Sequence, residues 1–171
     1  MTQSHWPLVS GRPGGRRLAS AGRLAHMSDA CLRLRPAAPA DAEALAGLCG
    51  ELGYPSTVKQ VRERLCLLDD PERTLLIADA GGSLGGFIDV HIQRVVEADP
   101  YVEVGGLVVM AGHRGEGLGA ALLVAAAEWG RRHDLTLMWI RADLARKGVH
   151  DFYPAVGRRR VKDQRVYEYP L

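Results

Sequence analysis

The chain has 171 residues, 47% of them hydrophobic and 6% aromatic, which is enough for one sizeable core and too few for two ordinary domains. Its formal net charge is +2, but residues 1–30 contribute +3, from four arginines and one aspartate, and so leave −1 for residues 31–171. A nearly neutral folded part lacks the basic face typical of nucleic-acid-binding domains. No apolar run reaches the roughly 18 residues of a membrane-spanning helix. We therefore expect neither nucleic acid nor a membrane among the partners.

The cysteines are three, Cys31, Cys49 and Cys66, and they lie far apart in the chain. This spacing fits neither a zinc site nor a disulfide framework, so it favours a reducing compartment, the cytoplasm. Cys49 and Cys66 occupy apolar positions of helical patterns and are predicted to be small buried side chains. The histidines show no H-E-x-x-H or comparable spacing, and no metal is expected.

Residues 1–29 are rich in Gly, Arg and Ser and show no hydrophobic period. Such a composition predicts a disordered tail, followed by a folded domain over residues 30–171. An arginine-rich leader is also typical of transit peptides, although Pro13, Gly14 and Gly15 interrupt any amphipathic helix here. A third alternative is that Met27 is the true start of the protein.

The folded part is predicted to begin with a strand at 32–35, followed by two amphipathic helices. Asp41 lies near the positive end of the first helix, and Ser56 is the predicted N-cap of the second. Their buried faces are predicted from apolar residues at helical spacing: Leu45, Leu48 and Leu52 in the first helix, and Val61, Leu65 and Leu68 in the second.

The next segment changes to a β pattern, with runs at 74–80 and 84–95 joined by a glycine-containing turn that suits a hairpin. Further strands are predicted at 101–110, 135–141, 159–161 and 166–169, and further helices at about 117–133 and 149–156. The fold class is therefore α/β (α+β): a single domain whose mixed, mainly antiparallel sheet is flanked by helices.

A glycine-rich turn between the strand that ends near Met110 and the long helix carries the clearest chemical signal. Glycines at 115, 117 and 119 allow close approach to a ligand, and the helix start adds the positive end of its dipole, so a phosphate is favoured. A P-loop requires Gly-Lys-Ser/Thr, whereas Gly119 is followed by two alanines. A dinucleotide fold requires G-x-G-x-x-G in a parallel unit, whereas the spacing here is G-x-G-x-G. A turn without a ligand stays as the third alternative.

The segment Arg114-Gly115-Glu116-Gly117-Leu118-Gly119 resembles the R/Q-x-x-G-x-G/A signature of the GNAT superfamily of N-acetyltransferases. The resemblance extends from Leu32 to the C-terminus, about four fifths of the chain, and includes the strand Glu103–Val109 and the Phe152-Tyr153 pair followed by Gly157. It implies an acetyl-CoA-dependent N-acetyltransferase without a covalent enzyme intermediate.

The resemblance also implies how coenzyme A would bind. Its diphosphate would be held by backbone amides of Arg114, Gly115, Glu116, Gly117, Leu118 and Gly119. Its pantetheine arm would pair with the backbone of Leu107, Val108 and Val109. Gly105 and Gly106 within a strand pattern independently predict a β-bulge, where two strands could separate to admit that arm.

Two catalytic residues are implied in the same way. Glu103 is similar in position to a strand glutamate that serves as general base in some members, the alternatives being a water chain or a solvated carboxylate without a role. Asp89 and His91 on the preceding strand are lesser candidates for the base, the alternatives being a wall of the acceptor pocket or a surface group. Tyr153 matches the family's tyrosine general acid, which protonates the departing thiolate, the alternative being a purely packing role beside Phe152.

The acceptor is left open by the sequence. Aminoglycosides, polyamines, amino acids and protein amines are all acceptors within the superfamily, and a fold does not fix a substrate. A non-catalytic acyl-CoA-binding regulatory domain is the alternative function. A homodimer is expected if the terminal strands pair between subunits.

Overall fold

A computed structural model describes residues 32–171, apart from residues 67, 69 and 81. It contains five strands and four α-helices, with short 3-10 turns at Pro39–Asp41 and Ala111–His113. The strands are β1 (Leu32–Pro36), β2 (Arg73–Ala80), β3 (Ser83–Val95), β4 (Ala98–Val109) and β5 (Met138–Ile140). The helices are α1 (Ala42–Leu52), α2 (Val58–Cys66), α3 (Leu118–Arg132) and α4 (Lys147–Ala155).

The strands form one sheet in the order β1-β2-β3-β4-β5. Neighbours from β1 to β4 are antiparallel, and β4 and β5 are parallel. A parallel pair needs a long crossover connection, which α3 provides. The predicted mixed, mainly antiparallel sheet flanked by helices is confirmed, although β5 is shorter than the strand predicted at 135–141.

Each face of the sheet carries a hydrophobic core, because the strand residues alternate between the two faces. On one face α3 packs against β2, β3 and β4, with Leu122, Leu123 and Ala126 fully buried against Val90 and Val102. On the other face α1 and α2 cover a second cluster. Its buried members are Ala42, Leu45, Leu48, Val61, Ile77, Leu84, Phe87 and Val108. The sheet therefore has an α3 face and an α1/α2 face.

The second helix starts one residue later than predicted. Gln60 N–H donates to Thr57 Oγ1 (3.3 Å), and Thr57 N–H donates to Gln60 Oε1 (2.9 Å). These reciprocal bonds are a capping box on Thr57, so the prediction of Ser56 as N-cap is wrong. Cys66, predicted to be buried, is exposed, because the inward face of α2 is occupied by Val61 and Leu65.

The two terminal strands are also wrong: residues 158–171 contain no strand. Their isolated apolar residues face solvent, with Val161 65% and Tyr169 86% exposed. A strand needs a partner edge and a buried face, and β5 offers an edge of only three residues. The homodimer, which was expected from these strands, stays a prediction.

The contact between α3 and β4 leaves no room for a side chain at Gly130, whose added Cβ would lie 2.5 Å from Val102 Cγ2. Gly130→Ala is therefore expected to lower the free energy of unfolding by about 1–3 kcal/mol through overpacking. Gly50, in α1, has open space around it, and Gly50→Ala should raise that energy by roughly 0.5–1 kcal/mol. Urea unfolding measures both changes in the free energy of unfolding. Changes of the same sign in the two variants would contradict the close packing at Gly130.

Candidate active site

A β-bulge interrupts β4 at Gly105. Asp89 on β3 pairs with Gly106 and Val90 pairs with Val104, which leaves Gly105 without a partner. A Cβ added to Gly105 would lie 3.4 Å from Asp89 Oδ2, so a larger residue would press on that carboxylate. The predicted bulge is confirmed, and it reverses the alternation of the residues that follow it.

Beyond the bulge, β4 and β5 separate. Their parallel pairing covers Val102–Val104 against Met138–Ile140 and ends with the pair Val104 and Ile140. Residues 105–109 of β4 therefore have no strand beside them on that side. We call this opening between β4 and β5 the fork.

The backbone groups that face the fork can be assigned from alternation along β4. Met110 N–H donates to Gly85 O on β3 (2.8 Å). Because backbone groups of successive strand residues point to opposite sides, Val108 also faces β3, whereas Leu107 and Val109 face the fork. The Val109 carbonyl already accepts a hydrogen bond from Arg114 Nε (3.1 Å). The groups left for a pantetheine arm are thus those of Leu107 and the Val109 N–H.

The glycine-rich turn beside the fork exposes a run of backbone amides. Gly115 and Gly117 have left-handed φ angles of 85° and 86°, which favour glycine and turn the chain into α3. The N–H groups of residues 115–120 donate no hydrogen bond within the described part of the chain. The first helical bond at this end is Ala121 N–H to Gly117 O. The 15-residue α3 places the positive end of its dipole among them.

Two members of the predicted segment have other roles. Arg114 N–H donates to Ala111 O (3.4 Å), so the unbonded run starts at Gly115. A Cβ added to Gly119 would lie 3.0 Å from the Phe152 ring, so a side chain at this position would have to displace the ring that packs α4 against α3. Gly119 is therefore favoured by its contact with Phe152 rather than by a left-handed φ. The assignment of the turn to the cofactor stays a prediction.

The Arg114 side chain is bound to groups outside the turn, the Val109 carbonyl and Glu51. Its guanidinium lies 2.9 Å from Glu51 Oε2, and the same carboxylate oxygen accepts Ala111 N–H (3.0 Å). Glu51 lies at the end of α1, 63 residues earlier in the chain. It ties α1 to the turn, and no local pattern in the sequence could have revealed the contact.

Tyr153 lies on α4, half-buried against the core cluster on the α3 face. The same cluster includes Leu107 and Val109 from one arm of the fork and Ile140 from the other. Burial raises the pKa of Tyr153 to about 12, because desolvation disfavours the phenolate. The phenol therefore keeps its proton at neutral pH and can serve as a donor.

Glu103 lies on the α1/α2 face, one residue before the last β4–β5 pair. Its side chain is 13% exposed, and its carboxylate lies 3.2 Å from Arg141 Nε. A second contact joins Arg141 Nη2 to the other carboxylate oxygen (3.3 Å). Arg141, the first residue beyond β5, therefore closes the base of the fork with a two-point ion pair. The sequence did not predict this partner.

The lesser candidates lie beside Glu103. His91 is its direct partner on β3. Asp89, on the same face, lies 2.7 Å from Arg73. Glu103, Asp89 and His91 are thus brought together, whereas Tyr153 is placed by the opposite core cluster. Within residues 32–171, gaps excepted, no group of His, Cys, Asp and Glu could hold a metal ion.

A family model described as "Acetyltransferase (GNAT) family" matches residues 42–157. This match spans more than half of the chain, and the chain belongs to this family. The prediction of an acetyltransferase with acetyl-CoA as its donor is thereby confirmed at the level of the family. No curated protein matches the chain. No helix in the described part is long and apolar enough to cross a membrane.

Solved structures with the same fold include the aminoglycoside N-acetyltransferase AAC(6')-Iy in complex with CoA, with a TM-score of 0.73, 20% identity, and coverage of 82% of this chain and 96% of that one. A transcriptional regulator from Bacillus halodurans C-125 has a TM-score of 0.72, 20% identity, and coverage of 81% and 100%. Glucosamine-6-phosphate N-acetyltransferase from Arabidopsis thaliana has a TM-score of 0.70, 14% identity, and coverage of 82% and 99%. At these identities the likeness concerns the fold.

Proposed function

We propose that this protein transfers the acetyl group of acetyl-CoA to a primary amine of an acceptor that enters on the α1/α2 face of the fork. The observation that carries the proposal is the run of six unbonded N–H groups at residues 115–120, directly beside an opening in the sheet. The N–H groups of residues 117–120 are those that any helix leaves unbonded at its start, and Gly115 and Glu116 extend the run into the turn. Together with the positive end of the helix dipole, this run suits a ligand with several acceptor oxygens.

The residues fit coenzyme A in two places. A diphosphate supplies acceptor oxygens and negative charge, which match the amides of residues 115–120 and the dipole of α3. The pantetheine arm carries amide groups, which match the fork-facing backbone of Leu107 and the N–H of Val109. When bound, the cofactor supplies an activated acetyl thioester.

The acceptor amine has to lose a proton before or during attack, because alkylamines are mostly protonated at neutral pH. Glu103 is the proposed proton acceptor, directly or through water, since its carboxylate lies at the base of the fork. Tyr153 is the proposed proton donor to the leaving sulfur.

A screen of amines tests the activity itself. Purified protein is incubated with acetyl-CoA and each amine in turn, and the release of free thiol is followed. We expect turnover with at least one class of primary amine and none when the amine is omitted. The proposal fails if the protein binds no coenzyme A.

Glu103→Gln is expected to lower kcat/KM for the acceptor by about 100-fold near pH 7, the usual scale of general-base catalysis. The deficit should shrink as pH approaches the pKa of the amine, because a deprotonated amine needs no base. A pH profile of kcat/KM measures this, with Glu63→Gln, on exposed α2, as the control that removes a carboxylate elsewhere. A deficit that is constant with pH would indicate a purely structural glutamate.

A non-catalytic acyl-CoA-binding regulatory domain is the second candidate. It is supported by the two-point pairing of Glu103 with Arg141, which occupies the proposed base, and by the structural likeness to a protein described as a transcriptional regulator. Coenzyme A binding together with no turnover on any amine would favour this candidate.

We place the protein in the cytoplasm. The support is chemical: Cys66 is an exposed free thiol and Cys49 a half-buried one. Burial raises the pKa of the Cys49 thiol, which keeps it protonated and unreactive. Unpaired thiols of this kind are typical of reducing compartments.

A further inference from the structure

Four side chains form a row across the sheet on the α1/α2 face. Arg73 on β2 pairs with His91 on β3, His91 pairs with Glu103 on β4, and Glu103 pairs with Trp139 on β5. Direct partners on adjacent strands share a face and lie about 5 Å apart. We call these four residues the acceptor row, because one member, Glu103, lies at the base of the fork.

Two carboxylates lie on or next to the acceptor row, those of Glu103 and Asp89, and each forms an ion pair with an arginine. Asp89 receives Arg73 Nη2 (2.7 Å) and Arg73 Nε (3.2 Å), and Glu103 receives Arg141. The Asp89 carboxylate also borders the bulge at Gly105, so the two ion pairs lie on either side of β4, one from β3 and one from β5. A third cation, Lys162 Nζ, lies 4.9 Å above the Trp139 ring.

Exposure within these ion pairs is uneven. The side chain of Arg73 is 40% exposed and that of Asp89 22%. The side chain of Arg141 is 55% exposed and that of Glu103 13%. In both pairs the guanidinium lies outward and the carboxylate inward, so an approaching molecule meets positive charge first.

We infer that the acceptor carries an anionic group, a carboxylate or a phosphate, beside its primary amine, and that Arg73 helps to bind this group. This inference rests on the proposed function, which places the amine at Glu103. A guanidinium presents a planar set of donors that suits both kinds of anion. A polycation, such as a polyamine, would bring its extra charges against the outward arginines.

Matched amines test the inference. The carboxylate arm compares 4-aminobutyrate with putrescine, and the phosphate arm compares phosphoethanolamine with ethanolamine. We expect kcat/KM to be at least about tenfold higher for the anionic member of one arm, the scale of one charge-assisted hydrogen bond. The arm that responds identifies the anion. The inference is overturned if neither arm prefers its anionic member.

Two reciprocal variants make the test specific. Arg73→Gln uncovers Asp89 and should lower kcat/KM about tenfold for the anionic amine while raising it for putrescine. Asp89→Asn uncovers Arg73 and should move both values in the opposite directions. Arg94→Gln removes an arginine from an exposed pair with Glu72, outside the row, and should change neither. If Arg73→Gln lowers both values equally, its role is structural and the inference fails.

Calorimetry separates this inference from the proposed function. The same amines are titrated into the complex with coenzyme A, which reads their preference without turnover. Equal binding of the paired amines overturns the inference alone, whereas absence of coenzyme A binding overturns the proposed function.

Discussion

Gly115→Val is expected to weaken coenzyme A binding by about 10–100-fold. Gly115 has a φ of 85° and no neighbouring atom within 4 Å of an added Cβ, so the substitution meets backbone strain and no clash. Holding a non-glycine residue in this region costs about 1–3 kcal/mol. The turn is expected to relieve the strain by rotating, which takes the amides of residues 115–120 out of alignment. Titration calorimetry with coenzyme A gives the dissociation constant.

Gly112→Val is the matched control for this experiment. Gly112 lies three residues earlier, also has open space, and does not have a left-handed φ. The Gly112→Val variant should bind coenzyme A with a dissociation constant within about threefold of that of the unsubstituted protein. Thermal melts should show that both variants are folded. Equal affinities for the two variants would mean that the turn geometry does not hold the cofactor.

Tyr153→Phe is expected to lower kcat by about 100-fold, at the lower end of what a positioned acid or base contributes. The change removes one hydroxyl and keeps the ring, so packing against Phe152 is preserved. The affinity for coenzyme A should stay unchanged. Steady-state kinetics gives kcat, and calorimetry gives the affinity.

The pH dependence of the original protein sharpens this prediction. Because burial raises the pKa of Tyr153 to about 12, the phenol keeps its proton through the alkaline range in which turnover is measurable. No loss of kcat from its ionisation is expected up to about pH 10. Tyr54→Phe removes a phenol that is 70% exposed and should leave kcat unchanged. Full activity in Tyr153→Phe would reduce Tyr153 to a packing role.

Local sequence patterns predicted much of this fold, because in each of these cases the physical cause lies in neighbouring residues. Paired glycines inside a strand are costly, and Gly105 is indeed the bulge residue. Leu45 and Leu48 at helical spacing are fully buried. The glycine-rich turn does adopt left-handed φ angles at Gly115 and Gly117, while the phosphate site itself stays a prediction. Each of these signals lies within a few residues of its effect.

The contacts that the sequence did not reveal join distant segments. Glu51 reaches Arg114 across 63 residues, and Arg141 reaches Glu103 across 38. Side-chain periodicity carries no information on such pairs, because the sequence pattern around a carboxylate is the same whether or not that carboxylate has an ion-pair partner. The prediction of the terminal strands was wrong for a related reason. The β propensity of residues 166–169 does not show whether a sheet edge is available for them to pair with.

An amide N–H correlation spectrum of isotopically labelled protein, recorded during titration with coenzyme A, tests most directly whether the turn holds the diphosphate. New hydrogen bonds to phosphate oxygens should move the amide proton resonances of residues 115–120 downfield, more than those of any other segment. Leu107 and Val109 should form the second responding group. Saturable binding that leaves residues 115–120 unchanged would contradict the site described above.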